Sequence, residues 1–189
     1  MFTPTLTGLG ERVHLARPGV ELTTHVDDVV NALNYEDLHE VVLVATAVAE
    51  RVPERLAHLV YLDAFVPRDG QSLMDMIGPE AATYFENVAD ERSDGWRIPH
   101  DPPDAPRRTD HPLKTFQGPV AVRNPDALAV PRTYIYCSDK AEMGAGGAGI
   151  TESAARARAA GWRYRELPTT HVAMETMPRE LADLLLELV

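Results

Sequence analysis

Cysteine is nearly absent from this sequence of 189 residues, since Cys137 is the only one. A single thiol excludes a disulfide within the chain. It also excludes the cysteine-rich metal centres, which need several thiolates at short spacing. The chain therefore depends on packing and hydrogen bonds rather than on covalent crosslinks, and its length suits one domain with a sizeable core.

Positive charge is also scarce: 18 lysines and arginines stand against 29 acidic residues, for a net charge of −11. This balance disfavours nucleic acids and anionic membrane surfaces as partners, because both are polyanions. Long apolar runs are lacking, and none approaches the ~18 residues of a membrane-spanning helix. The first residues show no basic segment followed by an apolar one, so no signal peptide is predicted and we expect a cytoplasmic protein.

Short apolar runs alternate with amphipathic segments along the whole chain. The first predicted helix covers residues 21–38, and the last follows Pro178 with leucines on one face. This alternation predicts an α/β fold, in which a parallel sheet carries helices on both faces. The predicted strands are residues 41–44, 59–65, 133–137 and 162–168.

Residues 40–67 form the best-defined unit, with two β-branched runs on either side of an amphipathic segment. The runs are typical of buried parallel strands. The segment between them predicts a short crossover helix that Pro53 ends or kinks. Such a strand–helix–strand unit implies a right-handed crossover.

Several segments of the chain resemble a known family. They are TPTLTGLGER near the start, AVAERVPERLAHLVYLDAFVP in the middle, HPLKTF, TYIYC and the last 27 residues. Together they resemble the α/β-hydrolase superfamily, in its small bacterial esterase-like branch, related to plant methyl esterases and hydroxynitrile lyases. The resemblance implies a small ester as substrate, no cofactor, and one domain with a cap insertion at about residues 67–124. It also implies an earlier strand ending in a His-Gly segment, so we expect a fold truncated at the N-terminus.

The family's nucleophile elbow, G-x-S-x-G, is missing from this sequence. The elbow belongs between the first strand and the helix of the 40–67 unit, but Val44 continues directly into Ala45, Thr46 and Ala47. The elbow holds the serine on a tight turn and presents a backbone amide to the oxyanion. The four serines of the chain lie outside any such motif: Ser72, Ser93, Ser138 and Ser153.

The remaining members of a triad have candidates. His171 follows the last predicted strand, where the family places its catalytic histidine, a general base toward serine. Asp139, just after the TYIYC strand, is the predicted acid; Glu142 and Asp63 are alternatives. Each of the three carboxylates is also compatible with a solvated loop position.

Two further patterns are interpreted as structural. Residues 144–149 satisfy G-x-G-x-x-G, but they start several residues after the strand, and only one β-α-β unit follows, so we interpret them as a flexible loop. A proline-rich stretch gathers acids and histidines without any standard ligand spacing, so no metal is predicted. Its candidate ligands are His100, Asp101, Asp104, Asp110 and His111.

The sequence thus predicts a protein of esterase ancestry that is weakly active or inactive because it lacks the serine, in other words a truncated pseudoenzyme. Two alternatives stay open: a catalytically dead protein that binds a small ester or aromatic ligand, and a non-functional gene fragment. The sequence leaves the substrate and the oligomeric state undetermined.

Overall fold

The computed structural model describes residues 1–44, 47–100, 102, 107–141 and 143–188. Within these residues the strands are short, and they fall into a parallel sheet and a small antiparallel pair. The strands are β1 (Val41–Leu43), β2 (Leu56–Leu62), β3 (Arg97–Ile98), β4 (His111–Pro112), β5 (Arg132–Cys137) and β6 (Arg163–Leu167).

The helices alternate with these strands, as the sequence predicts. In the described part of the chain three 3-10 helices accompany them, at Gly10–Leu15, Ala47–Glu50 and Pro53–Arg55. The α-helices are α1 (Leu22–Tyr35), α2 (Leu73–Ile77), α3 (Pro79–Arg92), α4 (Lys114–Gln117), α5 (Pro125–Ala129), α6 (Gly144–Ala159), α7 (Ala173–Thr176) and α8 (Pro178–Leu186). None of the described helices is long and apolar enough to cross a membrane.

The chain divides into two compact units. One contains Met1–Asp37 and Asp69–Val120, and the other contains Leu38–Arg68 and Ala121–Val189. We call them the helical unit and the sheet unit. A single domain with a cap insertion at about residues 67–124 stays a prediction.

The sheet unit is built on four parallel strands in the order β1-β2-β5-β6. Side chains alternate between its two faces, as strand geometry requires. On one face Tyr61 and Tyr134 pack with Ala154 of α6. On the other, Val60 and Ile135 pack with residues that include Leu181 of α8. Helices therefore cover both faces, which confirms the predicted three-layer α/β fold.

The connection between β1 and β2 differs from the prediction. The described residues between these strands form two short 3-10 helices in place of one continuous crossover helix. Pro53 explains this result, because it lacks an N–H and occupies the first position of the second 3-10 helix, which leads directly into β2. Strand β2 consequently begins at Leu56 rather than at Leu59.

The glycine-rich segment is also different from expectation. Residues 144–149 form the first turns of α6, so their interpretation as a flexible loop is wrong. Gly144 begins the helix with φ of +51°, and an added Cβ at Gly144 or Gly146 would meet no atom within 4 Å. The alanines and arginines that follow are strong helix formers, and they carry the helix through the glycines.

The helical unit has its own core, in which Met74, Ala89, Ile98 and Leu113 are buried together. Helices α2 and α3 follow one another in this unit, with Gly78 between them. Ser72 begins α2, and its Oγ accepts a hydrogen bond from the Asp75 N–H at 3.2 Å. This serine therefore acts as a helix cap.

Candidate active site

Asp63 lies directly beyond the carboxyl end of β2 and is completely buried, with 0% of its surface exposed. Its backbone N–H donates to the Ile135 carbonyl at 2.7 Å, so β5 holds it in place. Its φ of +45° lies in the left-handed region, which is unusual for a residue other than glycine. Such strained residues cluster at functional sites, because the surrounding structure must hold them there.

The Asp63 carboxylate has a partner on each oxygen. Oδ2 accepts a hydrogen bond from His171 Nδ1 at 2.8 Å. Oδ1 accepts one from the Cys137 N–H at 3.0 Å and forms an ion pair with Lys140 Nζ. These residues all belong to the sheet unit, and they meet where its parallel strands end.

Electrostatics keep this carboxyl ionised. Burial by itself raises the pKa of Asp63, but hydrogen bonds from His171, Lys140 and the Cys137 amide outweigh it, so the net effect lowers the pKa. The Cys137 thiol shifts in the opposite direction: burial, and then the Asp63 charge, raise its pKa to about 11 although Lys140 opposes them. Cys137 is thus a protonated, buried thiol and a poor nucleophile.

His171 lies in the loop between β6 and α7. Backbone hydrogen bonds fasten this loop to the end of β5, from the Ser138 N–H to the Leu167 carbonyl and from the Asp139 N–H to the Thr169 carbonyl. The His171 side chain is 49% exposed. Because Nδ1 donates to Asp63, the lone pair is on Nε2, which forms no hydrogen bond with the residues that the structure describes.

Lys140 is the member of the site that the sequence reasoning missed. Its side chain is only 17% exposed, and its ammonium group lies 4.4 Å from the centre of the Tyr136 ring. The ring face and the Asp63 carboxylate together stabilise the buried positive charge. One signal was present: Lys140 closely follows a predicted parallel strand, and side chains after such strands meet at one edge of the sheet.

Asp139, the predicted acid, is exposed in the structure. Its carboxylate accepts a hydrogen bond from the Ala141 N–H at 3.1 Å within its own loop. The structure places His171 against Asp63 instead, which the sequence offered only as an alternative. Glu142 lies outside the described residues. The catalytic roles of His171 and Asp139 stay predictions.

Ser138 and Ser153 form hydrogen bonds with groups other than His171. The Ser153 hydroxyl accepts a hydrogen bond from the Val66 N–H at 3.1 Å, and the Ser138 hydroxyl donates to the Leu167 carbonyl at 3.3 Å. Neither is hydrogen-bonded to His171, so neither is held as a nucleophile by that histidine.

A second arrangement of serine, aspartate and histidine occurs in the helical unit. Ser93 Oγ donates to Asp110 Oδ2 at 2.8 Å, and His100 Nδ1 lies 2.8 Å from Asp110 Oδ1. The carboxylate stands between the serine and the histidine, so the imidazole cannot take the serine proton.

The proline-rich stretch that carries His100, Asp110 and His111 was weighed as a source of metal ligands and set aside. No cluster of three or more histidine, cysteine, aspartate or glutamate side chains suited to a metal ion occurs in the part of the chain that the structure describes. Asp101 and Asp104 lie outside that part of the chain.

The three-layer parallel fold is that of an α/β-hydrolase, and an acid followed along the chain by a histidine beyond the strand ends is compatible with that family. The sequence is 31% identical over 225 residues to a carbendazim-hydrolyzing esterase of Nocardioides sp. (strain SG-4G), covering 97% of this chain and 85% of that protein. The chain therefore belongs to the α/β-hydrolase superfamily, with esterases among its relatives. No family model matches it.

Solved structures show the same fold. An extracellular α/β-hydrolase from a Paenibacillus species, described as sharing homology with tobacco salicylic acid binding protein 2, has a TM-score of 0.75 at 20% identity and covers 98% of this chain and 86% of its own. The pyrethroid hydrolase PytH has a TM-score of 0.67 at 18% identity, with 97% and 84% covered.

Proposed function

We propose that this chain is an esterase-family protein that has lost its serine nucleophile and is weakly active or inactive toward small esters. The observation that carries the proposal is the junction at Val44 and Ala45, where the sequence contains no G-x-S-x-G motif. His171 and its buried carboxylate partner are what remains of the catalytic apparatus.

The chemistry left to this pair is limited. Since Asp63 fixes the Nδ1 proton, the Nε2 lone pair of His171 is directed away from the carboxylate and can accept a proton from water. A general base typically contributes 10²–10⁴-fold, whereas removing a triad member from a serine hydrolase costs ~10⁴-fold or more. We therefore expect hydrolysis far below that of a serine esterase.

The test is hydrolysis of p-nitrophenyl acetate and of carbendazim, on which the Nocardioides relative acts. We expect slow release of p-nitrophenolate, at a rate that His171→Ala reduces to background. His14→Ala is the matched control: His14 is exposed, and its Nδ1 lies near a backbone carbonyl rather than a carboxylate. We expect it to have no effect.

A fluorophosphonate probe, which labels activated serines, tests the absence of the nucleophile directly. We expect no labelling of the folded protein. Stoichiometric labelling of any serine, together with rapid ester turnover, would overturn the proposal. Thermal stabilisation by an aromatic ester without turnover would instead support the binding alternative.

A further inference from the structure

The two nitrogens of His171 are in different environments. Nδ1 lies 2.8 Å from the fully buried Asp63 carboxylate, whereas Nε2 has no hydrogen-bond partner among the described residues. About half of the side chain is exposed, so small molecules can reach the ring from solvent. An imidazole held in this tautomer carries a lone pair at a fixed, accessible position.

We propose that His171 Nε2 is itself a nucleophile, and that it accepts the acyl group of activated aryl esters to form an acyl-imidazole. This proposal rests on the proposed function, because a neighbouring serine hydroxyl would otherwise compete for the acyl group. Histidine is among the side chains that form covalent intermediates in enzymes. Here it would take the place that serine occupies in the family.

The reaction proceeds in two balanced steps. The Nε2 lone pair attacks the ester carbonyl, the new N–C bond forms, and the C–O bond to the aryl group breaks as phenolate leaves. Asp63 holds the Nδ1 proton throughout, and its charge stabilises the acyl-imidazolium. Water then attacks the acyl carbon and the N–C bond breaks. The hydroxyl of the water completes the carboxylic acid, and its second proton passes to the departed phenolate or to solvent, which restores the neutral imidazole.

This mode of attack defines the substrate class. A tetrahedral intermediate expels its better leaving group, and imidazole leaves far more easily than an alkoxide but only about as easily as a nitrophenolate. His171 therefore accepts acyl groups from nitrophenyl and similar aryl esters, and it returns alkyl esters unchanged. A serine esterase overcomes this limit with oxyanion donors and a protonated histidine that assists the leaving group.

The experiment is rapid mixing of the whole protein with p-nitrophenyl acetate, followed by acid quench, intact-mass measurement and peptide mapping. We expect one acetyl group on His171, at a level that hydroxylamine abolishes because acyl-imidazoles are labile whereas acetyl-lysines are not. His171→Ala and His171→Gln should both lack the adduct, and His14→Ala should retain it. Ethyl acetate should give no adduct.

Asp63→Asn provides a second measurement with a graded result. We expect acetylation of His171 to slow by at least tenfold, because an amide does not stabilise the positive charge of the acyl-imidazolium. An adduct that persists in His171→Ala, no adduct in the unmodified protein, or an unchanged rate in Asp63→Asn would overturn the inference.

The two proposals fail in different ways. Weak turnover that requires His171 without an acetyl adduct would overturn the nucleophile and leave the proposed function standing. Rapid turnover with a labelled serine would overturn both.

Discussion

Asp63 is the residue on which the candidate site depends. It is fully buried, accepts hydrogen bonds from the His171 ring and the Cys137 N–H, and forms an ion pair with Lys140. A folded protein tolerates a buried carboxylate that keeps its hydrogen-bond and charge partners. Removing the carboxylate leaves those partners buried without a counter-charge, which is strongly destabilising. This residue therefore contributes to stability as well as to the position of His171.

We predict that Asp63→Asn lowers the free energy of unfolding by about 3 kcal/mol, because it leaves Lys140 largely buried without its counter-charge. Asp139→Asn is the matched control, since Asp139 is exposed and its only described side-chain bond lies within its loop; we expect a change within about 0.5 kcal/mol. Urea unfolding of the variants measures both. Equal losses of stability in Asp63→Asn and Asp139→Asn would contradict the role assigned to the buried Asp63 carboxylate.

The pH dependence of the Asp63 contribution has a definite sign. Its folded-state pKa is lowered, so the carboxylate stabilises the protein fully above the unfolded value of ~3.9. That stability is lost as the pH falls through the lower folded-state pKa. Asp63→Asn should therefore remove part of the acid sensitivity of the protein in that pH range.

His111, in the helical unit, gives a second pH effect in a milder range. Burial, with the nearby His25, lowers its pKa from 6.5 to about 4. Its Nε2 lies 2.7 Å from the Thr115 hydroxyl, and its ring packs 4.9 Å from that of Phe116. Protonation would thus place a charge among apolar and aromatic groups.

We predict that the free energy of unfolding falls by about 2 kcal/mol between pH 6.5 and pH 5, because the unfolded chain binds a proton that folded His111 does not. Urea unfolding at several pH values measures this slope. His111→Gln should flatten it and His14→Gln should not. An identical slope in His111→Gln would contradict the prediction.

Only part of the site follows from the sequence. His171 was identified from its place in a phrase that resembles the family, and the structure puts it beside a carboxylate. Asp139 was preferred to Glu142 and Asp63, but the sequence offers no firm ground for that choice, because each of the three lies at or near the end of a predicted strand. Which carboxylate reaches His171 depends on the direction of its side chain. The positive φ of Asp63 sets that direction, and such a φ is uncommon in residues other than glycine.

At the scale of elements, two glycines differ in how much space the surrounding helices leave for a side chain. A Cβ at Gly118, which ends α4, would lie 2.6 Å from Leu22 Cβ on α1, so the two helices approach too closely for any larger residue. A Cβ at Gly146 in the first turn of α6 would meet nothing within 4 Å. One glycine is thus required for packing and the other is not.

We predict that Gly118→Ala destabilises the protein by about 1–3 kcal/mol, because overpacking forces the helices apart. Gly146→Ala should stabilise it by up to about 1 kcal/mol, because alanine loses less conformational freedom in a helix. Thermal unfolding compares the two variants directly. A destabilising Gly146→Ala would show that this turn of α6 needs glycine.

The elements also show where local patterns are insufficient. Strands β5 and β6 were predicted almost to the residue, because each contains aromatic residues that favour strands and follows a proline or a glycine that marks its start. The connection between β1 and β2 was predicted less well. Its amphipathic pattern favours a continuous helix, but Pro53 and the early start of β2 limit it to 3-10 turns. Tertiary pairing of β2 with β5 overrides the local preference.

At the scale of the whole molecule, the dominant property is the net charge of −11. Like charges repel within a compact chain, and the repulsion is screened by salt. The predictions of no nucleic-acid partner and of a cytoplasmic location derive from the sequence alone and stay predictions.

We predict that raising NaCl from about 0.02 M to about 0.5 M increases the melting temperature by about 2–4 °C, the equivalent of about 1 kcal/mol for a chain of this size. The increase should disappear at a pH near the sequence pI of ≈ 5.0, where net repulsion vanishes. Differential scanning calorimetry measures it. A decrease with salt at neutral pH would show that attractive ion pairs outweigh the repulsion.

The sequence by itself determined the alternation of strands and helices, the family, the missing serine motif and the position of His171, because these are properties of neighbouring residues. Only the tertiary structure decided that the partner of His171 is Asp63, 108 positions away, and that Lys140 lies 77 positions from the carboxylate it neutralises. The physical reason is that the parallel register of β2 against β5 fixes which side chains meet at the ends of the strands. Hydrophobic patterns specify which face is buried, but they do not specify which polar groups pair beyond the last residue of a strand.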